Sequence, residues 1–101
     1  MGIFSRRNKD DDYNAWVAKG LSLLILERYE EAIGCLDEAI RLKPEDYDAW
    51  NNKGNALTQL ERYEEAIGCY DKAIRIDPGY YDAWHNKGSS LARLERHEEA
   101  I

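Results

Sequence analysis

The sequence predicts an all-α protein built from stacked antiparallel helix pairs, and three observations carry that expectation. One line is written three times: AWVAKGLSLLILERYEEAI from Ala15, AWNNKGNALTQLERYEEAI from Ala49 and AWHNKGSSLARLERHEEAI from Ala83. The period is strict, because Trp16, Trp50 and Trp84 are 34 residues apart, as are Gly20, Gly54 and Gly88, and Ala32, Ala66 and Ala100. Residues 13–46 and 47–80 agree at 21 of 34 positions, and residues 81–101 agree with 47–67 at 15 of 21. Within each copy the apolar residues recur at helical spacing, with one short interruption.

The elements follow in order. Residues 1–12, MGIFSRRNKDDD, read as a flexible leader, with Asp10, Asp11 and Asp12 a solvated helix cap. In copy one, 13–46, the spacing of Ala15, Trp16, Gly20, Leu23 and Leu26 predicts a helix over about residues 14–26. The stretch LERY breaks that pattern and supplies a turn. Ala32, Ile33, Leu36, Ala39 and Ile40 then form the stripe of a second helix over about 30–42. Glu30 and Glu31 fall in its first turn and Arg41 near its end, which suits the helix dipole, and Pro44 stops it. A connection this short makes the two helices antiparallel. Copy two, 47–80, repeats the plan. Copy three, 81–101, is expected to hold a first helix over 81–94 and one turn of a second.

Glycine inside a helix costs about 0.5–1 kcal/mol relative to alanine, so Gly20, Gly54 and Gly88 point to close helix approach, with Ala32 and Ala66 facing them. Gly34 and Gly68 also fall in mid-helix, with no reason visible in the pattern.

Composition narrows the function classes. Apolar residues make up 44% and charged residues 34%, enough for a core and a solvated surface. Fourteen basic against twenty acidic residues give a net charge of −6, the opposite of the basic field that phosphate contacts require, so nucleic acid is not an expected partner. No apolar run reaches the roughly 18 residues of a membrane span, and the first residues have neither a signal peptide's apolar core nor, with Arg6 in the sixth place, the myristoylation pattern that Gly2 would need. Cys35 and Cys69 occupy equivalent places in adjacent copies, too far apart for the ~7 Å limit of a disulfide, and are expected to be reduced in a cytoplasmic protein.

The motif positions resemble the tetratricopeptide repeat (TPR), a 34-residue helix–turn–helix with Trp, Gly, Ala, Ala and Pro at fixed offsets. Copy one carries Trp16, Lys19, Gly20, Leu23, Ala32, Leu36, Ala39 and Pro44, and copy two carries Trp50, Lys53, Gly54, Leu57, Ala66, Tyr70, Ala73 and Pro78. Lys19, Lys53 and Lys87 replace the family's usual leucine, and leucine replaces its usual tyrosine. A lysine stem can lie on apolar surface while its head reaches water. The resemblance implies a right-handed superhelical array of about two and a half repeats. It also implies a scaffold function: a peptide or protein partner held in the concave groove lined by first helices.

Carried over position by position, the groove comprises Asn14, Val17, Ala18, Leu21, Leu24 and Ile25 in copy one. It comprises Asp48, Asn51, Asn52, Asn55, Thr58 and Gln59 in copy two, and Asp82, His85, Asn86, Ser89, Ala92 and Arg93 in copy three. Amides both donate and accept, so the asparagines can pair with an extended peptide backbone whatever its sequence. The partner-binding candidates are therefore Asn14, Asp48, Asn51, Asn52, Asn55, Gln59, Asp82, His85, Asn86, Ser89 and Arg93. Copy one is apolar on its groove side, and a helix apolar nearly all round is expected to be covered by another chain or by Ile3 and Phe4. Val17, Leu21, Leu24 and Ile25 at one end, with Trp84, Leu91 and Leu94 at the uncapped other, make end-to-end or helix-exchange self-association the alternative function.

Some family members grip acidic tails with a clamp of Lys, Asn and Arg. Here Val17, Leu21, Asp82 and Asn86 stand at four of those five places and only Asn52 matches, so acidic chaperone tails are not an expected ligand.

No chemistry of an enzyme is legible. There is no phosphate loop, nucleophile elbow or zinc-protease helix. His85 and His97 are twelve apart with no paired ligand, Asp10–Asp12 lacks the spacing of a calcium loop, and the Glu pairs at 30–31, 64–65 and 98–99 sit at helix starts. No cofactor and no metal are expected.

Overall fold

The computed structural model describes residues 8–100. Five helices follow one another: α1 (Lys9–Ile25), α2 (Tyr29–Leu42), α3 (Tyr47–Gln59), α4 (Tyr63–Ile76) and α5 (Tyr81–Ala100). They pack as antiparallel pairs, α1 with α2 and α3 with α4, and α5 packs against α4, giving an array of two and a half repeats about 61 Å long and 17 Å thick.

The helix ends have local causes. The Asn8 side chain accepts the Asp10 N–H at 2.7 Å and Asp46 accepts the Asp48 N–H at 3.1 Å, so each caps the helix that follows. The LERY turns close identically. Arg28 N donates to Leu23 O and Glu27 N to Leu24 O, and the same bonds run from Arg62 to Leu57 and from Glu61 to Thr58. This is the crossed pair of a Schellman motif. Its left-handed residue is a glutamate, Glu27 at φ 60° and Glu61 at φ 61°, where glycine would be the unstrained choice. Each turn is followed by an arginine that bonds three residues ahead, Arg28 to Glu31 and Arg62 to Glu65.

Two boundaries differ from the sequence expectation. Helix α1 begins at Lys9, so Asp10, Asp11 and Asp12 belong to its first turn instead of to a leader, because Asn8 supplies the cap and three carboxylates favour the positive helix end. Residues 1–7, Ile3 and Phe4 among them, lie outside the described residues. The turn expected after Leu94 is also absent: α5 runs unbroken through LERH to Ala100. In α2 and α4 a buried stripe offsets the strained glutamate of the turn. After Glu95 the described residues include no such stripe, and the helical conformation is the less costly one.

The core forms along the seams. Leu23, Ala32 and Cys35 make one cluster with Trp16 against it. Ile33, Ala56, Leu57, Ala66, Cys69 and Tyr70 make the other, with Leu24, Tyr29, Trp50 and Leu60 packed around it. Leu24 touches both and so stitches copy one to copy two. The cysteines are buried and unpaired, and burial pushes the Cys69 thiol up to about 11. The indole N–H groups of Trp50 and Trp84 donate to the carbonyls of Pro44 and Pro78, pinning each first helix to the loop before it.

The repeated lysines do more than reach water. Lys53 meets Asp37 of the preceding copy at 2.7 Å, and Lys87 meets Asp71 at 2.6 Å. Each pair joins one repeat to the next, at the ~0–1 kcal/mol typical of exposed ion pairs.

The motif glycines divide by what faces them. A Cβ on Gly54 would lie 2.5 Å from the Tyr70 ring, and one on Gly20 3.1 Å from Leu36. A Cβ on Gly34, Gly68 or Gly88 would meet nothing within 4 Å outside its own helix turn among the described residues, and nothing in the structure explains glycine at 34 and 68. Gly54→Ala is therefore expected to lose about 1–3 kcal/mol through overpacking. Gly68→Ala is expected to gain up to ~1 kcal/mol from helix propensity. Urea denaturation of the two variants beside the parent chain checks both signs.

Candidate functional site: a polar hollow between the first helices

Helices α3 and α5 are first helices of adjacent repeats, and a hollow of about 330 Å³ opens between them. It is lined by Asn55, Thr58, Gln59, Tyr70, Asn86, Ser89, Ser90 and Arg93. Every one of these side chains carries a hydrogen-bonding group. Five of them, Asn55, Gln59, Asn86, Ser89 and Arg93, are among the partner-binding candidates; Thr58 stood in the groove register, and Tyr70 and Ser90 did not.

The floor is a hydroxyl cluster. Thr58 Oγ1 donates to the Gly54 carbonyl at 2.9 Å, lies 3.1 Å from the Tyr70 hydroxyl and 2.8 Å from Ser90 Oγ. Tyr70 OH donates to Asn55 Oδ1 at 2.7 Å, which fixes the asparagine with its NH2 away from the floor. Burial raises the Tyr70 pKa above its ordinary value, so the phenol stays neutral and can donate. Tyr70 and Ser90 are almost completely buried, and no buried side-chain polar atom among the described residues lacks a partner. The cluster is thus fully satisfied, the condition under which a buried polar network stabilises a fold.

A second network runs along one side of the groove. Asn86 Nδ2 donates to Asn51 Oδ1 at 3.1 Å, Asn51 Nδ2 donates to the Tyr80 hydroxyl at 3.3 Å, and Tyr80 donates to Asp48 Oδ1 at 2.6 Å. Burial and the bond to Asp48 both hold the Tyr80 pKa above its ordinary value. Asn51 is only 4% exposed. The expectation that it presents a free amide to a ligand therefore gives way to an internal role, tying α3 to α5. The remaining candidates are more open. Asn52 is half-buried, and Gln59 and Ser89 are exposed or at the rim; none of the three has a side-chain hydrogen bond among the described residues. Arg93 is half-buried beside the Tyr63 ring, 5.7 Å from its centroid. His85 stacks on Tyr81, and Asn14 and Asp82 stand exposed away from the hollow.

Copy one's groove side is different. Leu21 and Ile25 are exposed, Ile25 at 82%, whereas Val17 and Leu24 are half-buried and Leu24 is spent on the seam. On α5, Trp84 and Leu91 are exposed and Leu94 is half-buried.

Register explains why only one junction is polar. Thr58, Tyr70 and Ser90 correspond, one repeat earlier, to Leu24, Leu36 and Ala56. The same three places are apolar between copies one and two and hydroxylated between copies two and three. Reading the copies against each other in threes, and not each stripe alone, would have located the hollow from the sequence.

Among the described residues no group of three or more His, Cys, Asp or Glu side chains could hold a metal, and no helix is long and apolar enough to cross a membrane.

Comparison with known proteins bears on the same architecture. Of solved structures, the TPR2AB domain of yeast Sti1 in a pHSP90 complex aligns with a TM-score of 0.82 at 24% identity over 89% of this chain; the chain spans only 35% of that one. The TPR2B domain of yeast Sti1 in a pHsp70 complex aligns at 0.81 and 25%, over 88% of this chain and 71% of that one. The second TPR of Spaghetti (RPAP3), bound to HSP90 peptide SRMEEVD, aligns at 0.77 and 22%, over 90% and 89%. No curated protein matches the chain. Two family models for the tetratricopeptide repeat match it, over residues 17–81 and 69–101. With the 34-residue period, the paired helices and these matches in agreement, the chain belongs to the tetratricopeptide repeat family.

Proposed function

We propose that the chain is a non-catalytic binding module that holds an extended peptide or protein segment along its first helices, centred on the hollow between α3 and α5. The observation that carries this reading is the lining: eight polar side chains around 330 Å³, on a floor whose own hydrogen bonds are complete. A saturated floor leaves the rim groups Gln59, Ser89 and Arg93 to meet a ligand, with Asn52 further along α3 outside the hollow. Amides and hydroxyls of this kind donate and accept, and so can pair with peptide N–H and C=O groups. The solved relatives in pHSP90 and pHsp70 complexes, and the one bound to the HSP90 peptide SRMEEVD, support peptide capture as the mode.

The ligand differs from theirs. Val17 and Leu21 offer no charge or amide, and Asp82 puts a carboxylate where the acid-gripping clamp has a lysine. A peptide ending in consecutive acidic residues would meet repulsion there and find one cation, Arg93, at the far rim.

The paired variant Asn52→Ala, Gln59→Ala is expected to capture peptides from an arrayed library about tenfold less well. Its helical circular dichroism should stay unchanged, consistent with the loss of one to three hydrogen bonds of ~0.5–1.5 kcal/mol each. Equal capture by variant and parent would remove the groove reading. On the same array, SRMEEVD should be retained no better than its scrambled sequence; selective retention would show that acidic tails are ligands after all.

A further inference from the structure

We infer that the hollow between α3 and α5 takes the carboxylate of a single acidic side chain, held by Arg93 and the amide of Asn55. This rests on the groove reading and names the chemical class of its ligand: an extended peptide with one glutamate or aspartate at a fixed place.

The floor has no proton left to offer. Thr58 Oγ1 donates to the Gly54 carbonyl and Tyr70 OH donates to Asn55 Oδ1. A hydroxyl has one proton, so the 2.8 Å bond between Thr58 and Ser90 uses that of Ser90. A group entering the hollow therefore finds its donors on the walls. The Asn55 oxygen is bound to Tyr70, which turns the NH2 to the opening. Gln59 brings a second amide and Arg93 a guanidinium with five N–H donors. Arg28, Arg41 and Arg62 each hold a glutamate, whereas Arg93 has no carboxylate partner among the described residues.

Charge selects among acceptors. Of the eight lining residues Arg93 is the one with a charge, and none is acidic. It is half-buried, with its guanidinium 5.7 Å from the centroid of the Tyr63 ring, whose face favours a cation. A peptide carbonyl would use the donors and not the charge. A carboxylate uses both, and such charge-assisted bonds are about twice as strong as neutral ones. The backbone of an extended ligand lies along the rim, so the group that descends is a side chain.

The openness of this place belongs to the repeat. Gln59, the equivalent of Arg93, is exposed although α5 follows it, and Ile25 is 82% exposed although α3 follows. The chemistry belongs to one junction. Between copies one and two the equivalents of Asn55 and Arg93 are Leu21 and Gln59, so no cation serves there. Asp82 stands eleven residues before Arg93 on the same helix, about 16 Å of rise. That exceeds the ~8 Å screening length of physiological salt. One carboxylate at Arg93 thus escapes the repulsion that a run of acidic residues meets at Asp82.

A peptide array probed with the full chain tests this. Each hexapeptide is amide-linked through its C-terminus and printed in forms that differ at one position, Glu, Gln or Lys, with that position moved along the peptide. At one position the Glu forms should be retained about tenfold better than the Gln forms, as for a charge-assisted bond in place of a neutral one. The ratio should fall towards one as sodium chloride rises from ~0.05 to ~0.5 M, because the site is partly exposed. Arg93→Gln should also bring it to about one, and Arg93→Glu should make the Lys forms the preferred ones, with helical circular dichroism reporting that both variants fold. Equal retention of Glu and Gln forms by the parent chain would overturn the inference and leave the groove reading standing. A Glu preference that survives Arg93→Gln or high salt would overturn it as well. Retention of no form at all would remove the groove reading and this inference with it.

Discussion

The Tyr70 ring against the bare Cα of Gly54 is the contact on which the rest of the site depends. A Cβ at 54 would lie 2.5 Å from the ring, so only glycine lets α3 and α4 approach this closely around an aromatic side chain. The approach brings the phenol through the helix pair to the groove side. There its hydroxyl reaches Asn55 and Thr58, and Thr58 reaches Ser90 of the next repeat. Intra-repeat packing and inter-repeat hydrogen bonding thus share one residue. In copy one, Leu36 packs on Gly20 in the same way but has no hydroxyl, and the junction above it is hydrocarbon. One backbone plan carries two surface chemistries because three equivalent side chains change together.

That hydroxyl cluster combines two requirements that usually conflict. A binding groove needs polar groups, yet a polar group left unpaired on burial costs about 1–3 kcal/mol. Here the deepest groups satisfy one another, and the outer amides and Arg93 remain accessible. Stiffness follows as well, since Thr58–Ser90, Asn86–Asn51, Lys53–Asp37 and Lys87–Asp71 all tie one repeat to its neighbour. A groove whose walls are tied in this way loses little freedom when a ligand enters.

The repeat period made the helix pairs, the turn position, the stop at proline and the family legible in the sequence, because each depends on residues close together in the chain. What the sequence left hidden lies between repeats. Asn51 looks like any other groove amide until Tyr80 and Asn86, 29 and 35 residues away, are seen to consume it. Lys53 reads as a snorkelling side chain until Asp37 of the previous copy appears beside it. The unbroken α5 was hidden for a different reason. The same three letters, LER, followed by Tyr or His, bend or stay helical according to whether a packed second helix offsets a left-handed glutamate, and that is a tertiary property. Gly88 likewise carries the family's signature glycine without the close neighbour that gives the signature its meaning.

The central claim is that the hydroxyl cluster couples the second repeat to the third. A double-mutant cycle with Thr58→Val and Ser90→Ala, followed by urea denaturation, tests it most directly. The account predicts a coupling energy of about 0.5–3 kcal/mol, as for residues in one hydrogen-bond network. Additive losses, with no coupling beyond ~0.3 kcal/mol, would contradict it and leave the hollow as a gap between independently packed repeats.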